Sequence, residues 1–268
     1  MLPGTFIALL AMLMNKGLLS PSRYVSAKEK LATFLYVVGH AASSRQAQER
    51  FQRSGWTVTQ SMNEVLSAMV RLYPTVMRPP GSSIPWEIHS NPKMFPFFKG
   101  CVGALDGTHV PAIPPPSGAK PFRNRKGYMS QNILAACTFD LKFTYVLAGW
   151  EGSASDGRVL EDALLNKGFV IPPGKMYLGD AGYGLRLNLL TPYRGVRYHL
   201  REWSLGNQKP QSPKELYNLR HAQQRNCIER IFGVLKKRFR ILVTAPEYPF
   251  PSQSINLGLK AKTLPKQG

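Results

Sequence analysis

The spacing of the apolar residues changes near Cys101, and this change constrains the fold more than any other feature of the sequence. Before it, apolar side chains recur at helical spacing, as in Leu31, Phe34 and Val38. Residues 1–78 are therefore predicted to be helical. After it, short apolar segments of strand length dominate. The chain is thus expected to join a helical part to a part of different architecture.

The second part alternates strand-like segments with longer helical ones. Four segments are predicted as strands: 101–106, 132–139, 143–147 and 175–179. Two segments are predicted as helices: 156–165 and 213–239. Strands and helices mixed in this order predict an α/β fold. Residues 79–100, which begin with Pro79-Pro80-Gly81, break the helical pattern and are predicted to be a linker.

A helix-turn-helix outline lies within the helical part. A short helical segment around Ala47–Phe51 runs into a turn at Ser54-Gly55. Thr57 and Gln60 have the spacing of a capping box, which predicts that a well-capped second helix begins at Thr57. The outline is compatible with DNA contact. Because helical hairpins are common, a small helical bundle that binds no DNA is the simpler interpretation of this outline alone.

The net charge points to an acidic partner. The chain carries 35 Lys+Arg against 15 Asp+Glu, a formal net charge of +20. Nucleic acid is the first candidate for a partner of such a chain. No stretch approaches the roughly 18 apolar residues that a membrane span needs, so no membrane association is expected.

Three of these few acids follow apolar segments, where an uncharged residue would pack more easily. Asp106 ends the first predicted strand, Asp180 follows the fourth, and Glu229 lies at the edge of the apolar stripe of the last helix. We expect Glu229 to face the sheet and not the water. Strand ends and a facing helix can bring three carboxylates together, and such a cluster repels itself unless cations neutralise it. Two Mg²⁺ or Mn²⁺ ions would do so, and the cluster is therefore a candidate catalytic and metal-binding triad.

Each carboxylate also has an ordinary structural explanation. Asp106 and Gly107 could form a turn, Asp180 could cap the next segment, and Glu229 could pair with Arg225 one helical turn earlier. Asp156 is a fourth acid, which could act as the N-cap of the helix at 156–165 or as an accessory group at the triad.

Two further sets of residues are candidates for supporting roles. His109, three residues after Asp106, could be an accessory group, although a structural histidine is the simpler interpretation. Basic residues follow in two runs, where they could either bind a phosphate backbone or form a solvated basic face. The candidate DNA-binding residues are Arg123, Arg125, Lys126, Lys236, Lys237 and Arg238.

Several linked motifs resemble one known family, the PIF/Harbinger-type DDE transposases and their domesticated nuclease relatives. The motifs, in chain order, are Gly103-Ala-Leu-Asp-Gly-Thr-His109, Arg125-Lys-Gly-Tyr-Met-Ser-Gln-Asn132, Gly179-Asp-Ala-Gly-Tyr183 and Ile228-Glu-Arg-Ile-Phe-Gly-Val-Leu-Lys-Lys-Arg-Phe239. The resemblance implies an RNase H-like core, a mixed sheet flanked by helices, at residues 101–250. It also implies a divalent-metal DDE triad, which falls on Asp106, Asp180 and Glu229.

The resemblance further implies what the protein does and where. A metal-dependent DNA endonuclease of transposon origin, acting in the nucleus, is the leading hypothesis. Such proteins commonly depend on a separate Myb-like DNA-binding protein, which is therefore a candidate partner. Residues 251–268 depart from the family pattern, because a polar tail stands where members carry an apolar helix. We expect this tail to be disordered, and a catalytically silent, C-terminally truncated remnant that binds DNA or protein is the alternative hypothesis.

Overall fold

A computed structural model describes residues 1–200, 202–203, 209–245 and 248. The first part of the chain is helical, as its periodicity predicts. Its helices are α1 (Pro3–Asn15), α2 (Ala27–His40), α3 (Ser44–Phe51), α4 (Gly55–Val76) and the short α5 (Trp86–His89). No helix among the described residues is long and apolar enough to cross a membrane. The predicted tail, 251–268, lies outside the described residues.

The turn between α3 and α4 is closed by a serine and not by the predicted threonine. Gln52 adopts a left-handed conformation that ends α3. The Ser54 hydroxyl then accepts a hydrogen bond from the Thr57 N–H, so that the N-cap of α4 lies three residues before the predicted cap. Thr57 was the wrong choice of cap because Ser54 supplies the same oxygen closer to the end of α3. The helix-turn-helix outline is present, and its DNA contact stays a prediction.

The second part contains a five-stranded mixed sheet. Its strands are β1 (Cys101–Pro111), β2 (Ser130–Cys137), β3 (Phe143–Glu151), β4 (Met176–Leu178) and β5 (Leu189–Leu190). They lie in the order β3-β2-β1-β4-β5. The hairpins β1–β2 and β2–β3 are antiparallel, whereas β4 runs parallel to β1 and β5 parallel to β4. This topology is consistent with an RNase H-like core, as the family resemblance implies.

Strand β1 is longer than the sequence suggested, and Asp106 therefore lies inside it. The prediction that the strand ends at Asp106, and the alternative of a turn at Gly107, are both wrong. Asp106 pairs with Ala135, and the pairing continues through His109 and Asn132 to Pro111. The polar residues after Asp106 remain extended because β2 supplies a pairing partner for each of them.

Two helices cover opposite faces of the sheet: α6 (Asp156–Asn166) and α7 (Pro213–Arg238). The first hydrophobic cluster contains Ala104, Ala135 and Ile228 of α7, together with residues from the N-terminal helices. The second contains Leu105, Leu134 and Leu160 of α6. Successive strand residues point to opposite faces. Asp106 therefore points to the side of the sheet that α7 covers, and Gly107 to the side of α6.

The segment 79–100 contributes to the first hydrophobic cluster. Ile88, Met94 and Phe98 are buried there beside residues of α2 and α4. The apolar side chains of the helical part and of the sheet are thus continuous, while the division of the chain into four parts stays a prediction.

Candidate active site

Asp106 lies on the central strand of the sheet, and its side chain is only 19% exposed. Its Oδ1 accepts a hydrogen bond from the Gly107 N–H at 2.9 Å, and its Oδ2 lies 2.6 Å from Nη2 of Arg225. Burial raises the pKa of Asp106 to about 6, although Arg225 and the Gly107 N–H oppose that rise. Asp180 and Asp156 raise it further, so both carboxylates lie close enough to repel Asp106.

Asp180 emerges beside Asp106 because of the strand register. Leu178 of β4 pairs with Ala104 of β1 in parallel, and both aspartates lie two residues farther along their chains. The Oδ1 of Asp180 accepts a hydrogen bond from the Ala181 N–H at 2.6 Å and caps the 3-10 turn at Ala181–Tyr183. Asp180 therefore acts as a cap, as the alternative explanation expected, but its carboxylate still lies close to Asp106.

Glu229 lies at the rim of the site and not in its interior. Ile228, Ile231 and Phe232 take the buried stripe of α7, which leaves the Glu229 side chain 58% exposed. The prediction that Glu229 faces the sheet was wrong for this reason. Its Oε1 nevertheless lies 2.8 Å from Nη1 of Arg225, the pairing that the sequence offered as an alternative.

Arg225 joins the two carboxylates that come from different elements. One guanidinium nitrogen bonds Asp106 of β1 and the other bonds Glu229 of α7, while the side chain is only 7% exposed. Burial acts against the charge of Arg225, but Asp106, Tyr198 and Asp180 outweigh it and raise the pKa of Arg225. The group formed by Asp106, Asp156, Asp180 and Glu229 around Arg225 is called the carboxylate site below.

Asp156 reaches the site from the opposite face of the sheet. Ser155, not Asp156, is the N-cap of α6, because its side chain accepts a hydrogen bond from the Arg158 N–H. The predicted cap was thus wrong by one residue. Asp156 is free to accept a hydrogen bond on Oδ1 from Nδ2 of Asn132 at 2.9 Å. A side chain at Gly107 would collide with this carboxylate, so glycine permits its close approach.

His109 of β1 contacts the neighbouring strand β2, and Lys236 of α7 contacts β1. Nδ1 of His109 lies 3.0 Å from Oγ of Ser130. Nζ of Lys236 donates to Oγ1 of Thr108 at 2.7 Å and to the carbonyl oxygen of His109 at 2.9 Å. Lys236 therefore fastens the end of α7 to β1, in addition to any contact with DNA.

Members of the two predicted basic runs come close together near His109. Burial lowers the pKa of His109; Asp156 opposes this shift, while Lys236, Lys126 and Arg125 add to it, so the three cations lie nearby. Arg123 donates to the carbonyl oxygen of Gly127 and is exposed. Lys237 and Arg238 are exposed at the end of α7. The residues of the two runs are together called the basic rim below.

Three buried polar atoms near the site have no hydrogen-bond partner among the described residues. They are Oδ1 of Asn132, the hydroxyl of Tyr183 and Nε of Arg225. Burial raises the pKa of Tyr183, and Asp106 and Asp156 raise it further, so the hydroxyl lies near those carboxylates. Asn132, Tyr183 and the bridging role of Arg225 were not predicted from the sequence. Only the spacing of Arg225 and Glu229 could have drawn attention to one of them.

The site fits a divalent cation in the chemistry of its donors. Carboxylates and an unpartnered amide oxygen are the hard ligands that Mg²⁺ and Mn²⁺ prefer. The site also already accommodates a cationic group, the Arg225 guanidinium. Within the described part of the chain, however, no three acidic, histidine or cysteine side chains are close enough to share one ion. Arg225 separates the carboxylates of Asp106 and Glu229 in this arrangement.

Comparison with known families decides the affiliation of the chain. The family described as DDE superfamily endonuclease matches residues 105–258, more than half of the sequence. The chain belongs to the DDE superfamily endonuclease family. This DDE endonuclease chain also matches a domain of unknown function, DUF8040, over residues 1–71. The family resemblance and the fold that it implies are thereby confirmed.

Named relatives are similar to this DDE endonuclease chain over part of their length. "Protein ALP1-like" of Arabidopsis thaliana is 30% identical over 176 residues, which cover 58% of this chain and 40% of the relative. "Putative nuclease HARBI1" of Bos taurus and of Homo sapiens are each 32% identical over 146 residues, covering 53% of this chain and 38% of the relative. The matched region spans about two fifths of the length of these curated relatives.

Proposed function

We propose that the chain is a metal-dependent DNA endonuclease of transposon origin that acts in the nucleus. The observation that carries this proposal is the convergence on Arg225 of carboxylates from β1 and α7, with a third carboxylate following β4 beside the first. Nuclease relatives and membership of an endonuclease family support it. The net charge of +20 supports a polyanionic substrate.

Asp106 and Asp180 would hold the metal from the sheet, and Glu229 would hold it from α7. Two Mg²⁺ or Mn²⁺ ions bound by such carboxylates activate water and stabilise the leaving oxygen of a phosphodiester. Asn132 holds Asp156 in place with one hydrogen bond, which makes Asp156 a candidate accessory group. Removal of any one of the three metal-holding carboxylates should therefore stop cleavage.

The basic rim would hold the DNA backbone beside these carboxylates. Arg125, Lys126 and Lys236 lie near His109, and the exposed Lys237 and Arg238 directly follow Lys236 in α7. Lysine and arginine contacts to phosphate orient a duplex without reading its sequence. A separate Myb-like protein, which the family resemblance implies, would then be a source of sequence specificity.

A second candidate function is supported by the ion pairs of Arg225. A guanidinium that bonds both Asp106 and Glu229 is the arrangement expected of a catalytically silent relative that retains only DNA or protein binding. The two candidates differ in one measurable property, which is metal-dependent cleavage.

The experiment is a supercoiled-plasmid nicking assay with the purified chain in Mn²⁺, Mg²⁺ or EDTA. The endonuclease proposal expects nicking with either metal and none in EDTA. Asp180→Asn and Glu229→Gln should each abolish nicking and leave DNA affinity intact, because the basic rim is unchanged. Glu161→Gln is the matched control, since this exposed acid of α6 belongs to no candidate site. Tight DNA binding by the wild type without nicking would establish the silent alternative instead.

A further inference from the structure

We propose that Arg225 is a built-in counter-cation, which occupies the carboxylate site and competes with a divalent cation for Asp106 and Glu229. The inference rests on the proposed function, in that the competing ion is the one proposed there. It adds a regulatory property: the ion can be held only after the guanidinium has released its carboxylates.

The geometry of Arg225 matches this role. Its two terminal nitrogens point to different elements, with 2.6 Å to Oδ2 of Asp106 and 2.8 Å to Oε1 of Glu229. The side chain is 7% exposed, so the guanidinium is held in the interior and not on the solvated surface of the helix. A surface pair one helical turn apart would bond Glu229 alone.

The charges around Arg225 explain why a cation is needed at this point. Asp156 and Asp180 lie close enough to Asp106 to raise its pKa, and a partly buried site strengthens such repulsion. Nearby cations are engaged elsewhere: Arg194 donates to the carbonyl oxygen of Ala181, and Lys236 donates to β1. Among the described residues, Arg225 is therefore the cation that forms hydrogen bonds with these carboxylates.

The bonds of Arg225 to Asp106 and Glu229 also determine how the guanidinium can release these carboxylates. Glu229 is more than half exposed, so its bond to Arg225 can be exchanged for water at low cost. Nε of Arg225 has no hydrogen-bond partner among the described residues, so the guanidinium is held through its terminal nitrogens. Asp106 is the tightly held partner, and breaking its bond is the step that metal binding must drive.

The test measures metal binding in the absence of DNA. Mn²⁺ affinity of the purified chain is determined by isothermal titration calorimetry for the wild type, Arg225→Gln, Arg225→Lys and the control Arg220→Gln. Arg220 lies on the same helix and bonds only a neighbouring glutamine among the described residues. Circular dichroism and the midpoint of thermal unfolding in EDTA establish that each variant is folded.

Arg225→Gln should bind Mn²⁺ about tenfold more tightly than the wild type, the change expected when the charge-assisted hydrogen bond to Asp106 no longer competes, because the exposed bond to Glu229 contributes little. Its thermal midpoint should fall in EDTA and recover with Mn²⁺ by more than that of the wild type. Arg225→Lys keeps the charge but not the two-pronged geometry, so its affinity should lie between the two, and it serves as the decisive variant if Arg225→Gln does not fold. Arg220→Gln should match the wild type.

Equal or weaker Mn²⁺ binding by the Arg225 variants would overturn the inference and make Arg225 a residue that positions the ligands. If the wild type nicks DNA while the variants bind no more tightly, only the inference fails. If the variants bind more tightly while no form of the protein nicks DNA, the inference stands and the endonuclease proposal fails. Absence of Mn²⁺ binding in every form would overturn both.

Discussion

His221 should make the protein unstable in mild acid. This residue of α7 is fully buried, and burial lowers its pKa to about 4. Nε2 lies 3.0 Å from the carbonyl oxygen of Leu190, which can only accept, so Nε2 must carry the proton. Nδ1 then accepts from the Tyr198 hydroxyl at 3.2 Å. The contacts therefore suit the neutral ring, and Arg225 also acts against a second proton.

The size of the effect follows from the two pKa values. An unfolded histidine titrates near 6.5, so between that pH and about 4 the unfolded chain binds more protons than the folded one. The free energy of unfolding must then fall as the pH falls through this window. The loss from His221 alone is roughly 2 kcal/mol by about pH 5 and about 3 kcal/mol by about pH 4.

Urea unfolding between pH 7 and pH 4 measures this loss. The glutamine of His221→Gln does not titrate, so the wild type should lose about 3 kcal/mol more than this variant over the same range. The exposed His199 supplies the control, and His199→Gln should follow the wild type. Parallel curves for the wild type and His221→Gln would refute the reasoning, since they would mean that His221 keeps an ordinary pKa in the folded protein.

Two further predictions concern the packing of α7 and the basic rim. Asn218→Ala should lower the free energy of unfolding by about 2–3 kcal/mol. The buried amide of Asn218 bonds both the N–H and the carbonyl oxygen of Tyr193, and alanine cannot replace these bonds. Urea titrations measure the loss, and an unchanged midpoint would show that water replaces the bonds. Replacing Lys237 and Arg238 with Ala should flatten the logarithmic salt dependence of duplex DNA binding by about 0.9 for each phosphate that is no longer neutralised. An unchanged slope would mean that these two residues form only a solvated face.

The elements of the sheet were predictable because their apolar runs are short and uninterrupted. The predicted strands at 132–139 and 143–147 correspond to β2 and β3, and the helix predicted at 213–239 corresponds to α7. Polar residues concealed the rest of β1, since Gly107 and Thr108 are typical of turns. The two residues of β5 are too few to produce any periodic signal.

The acids of the candidate site were predictable from the sequence, but the arginine that pairs with them was not. Asp106 and Asp180 stood out because carboxylates are rare in this basic chain and follow apolar segments. The sequence relates Arg225 to Glu229 through helical spacing, but nothing in it shows that the same guanidinium reaches Asp106 across 119 positions. Such a contact depends on how α7 crosses the sheet, which only the packed structure determines.

The distribution of the site along the chain has a consequence for synthesis on the ribosome. β1 lies at the centre of the sheet, yet its parallel neighbour β4 and the helix that supplies Arg225 emerge much later. Contacts between segments so distant in sequence form late in folding. A nascent chain would therefore expose its two aspartates without the residues that complete the site. The carboxylate site therefore cannot be complete before α7 has left the ribosome.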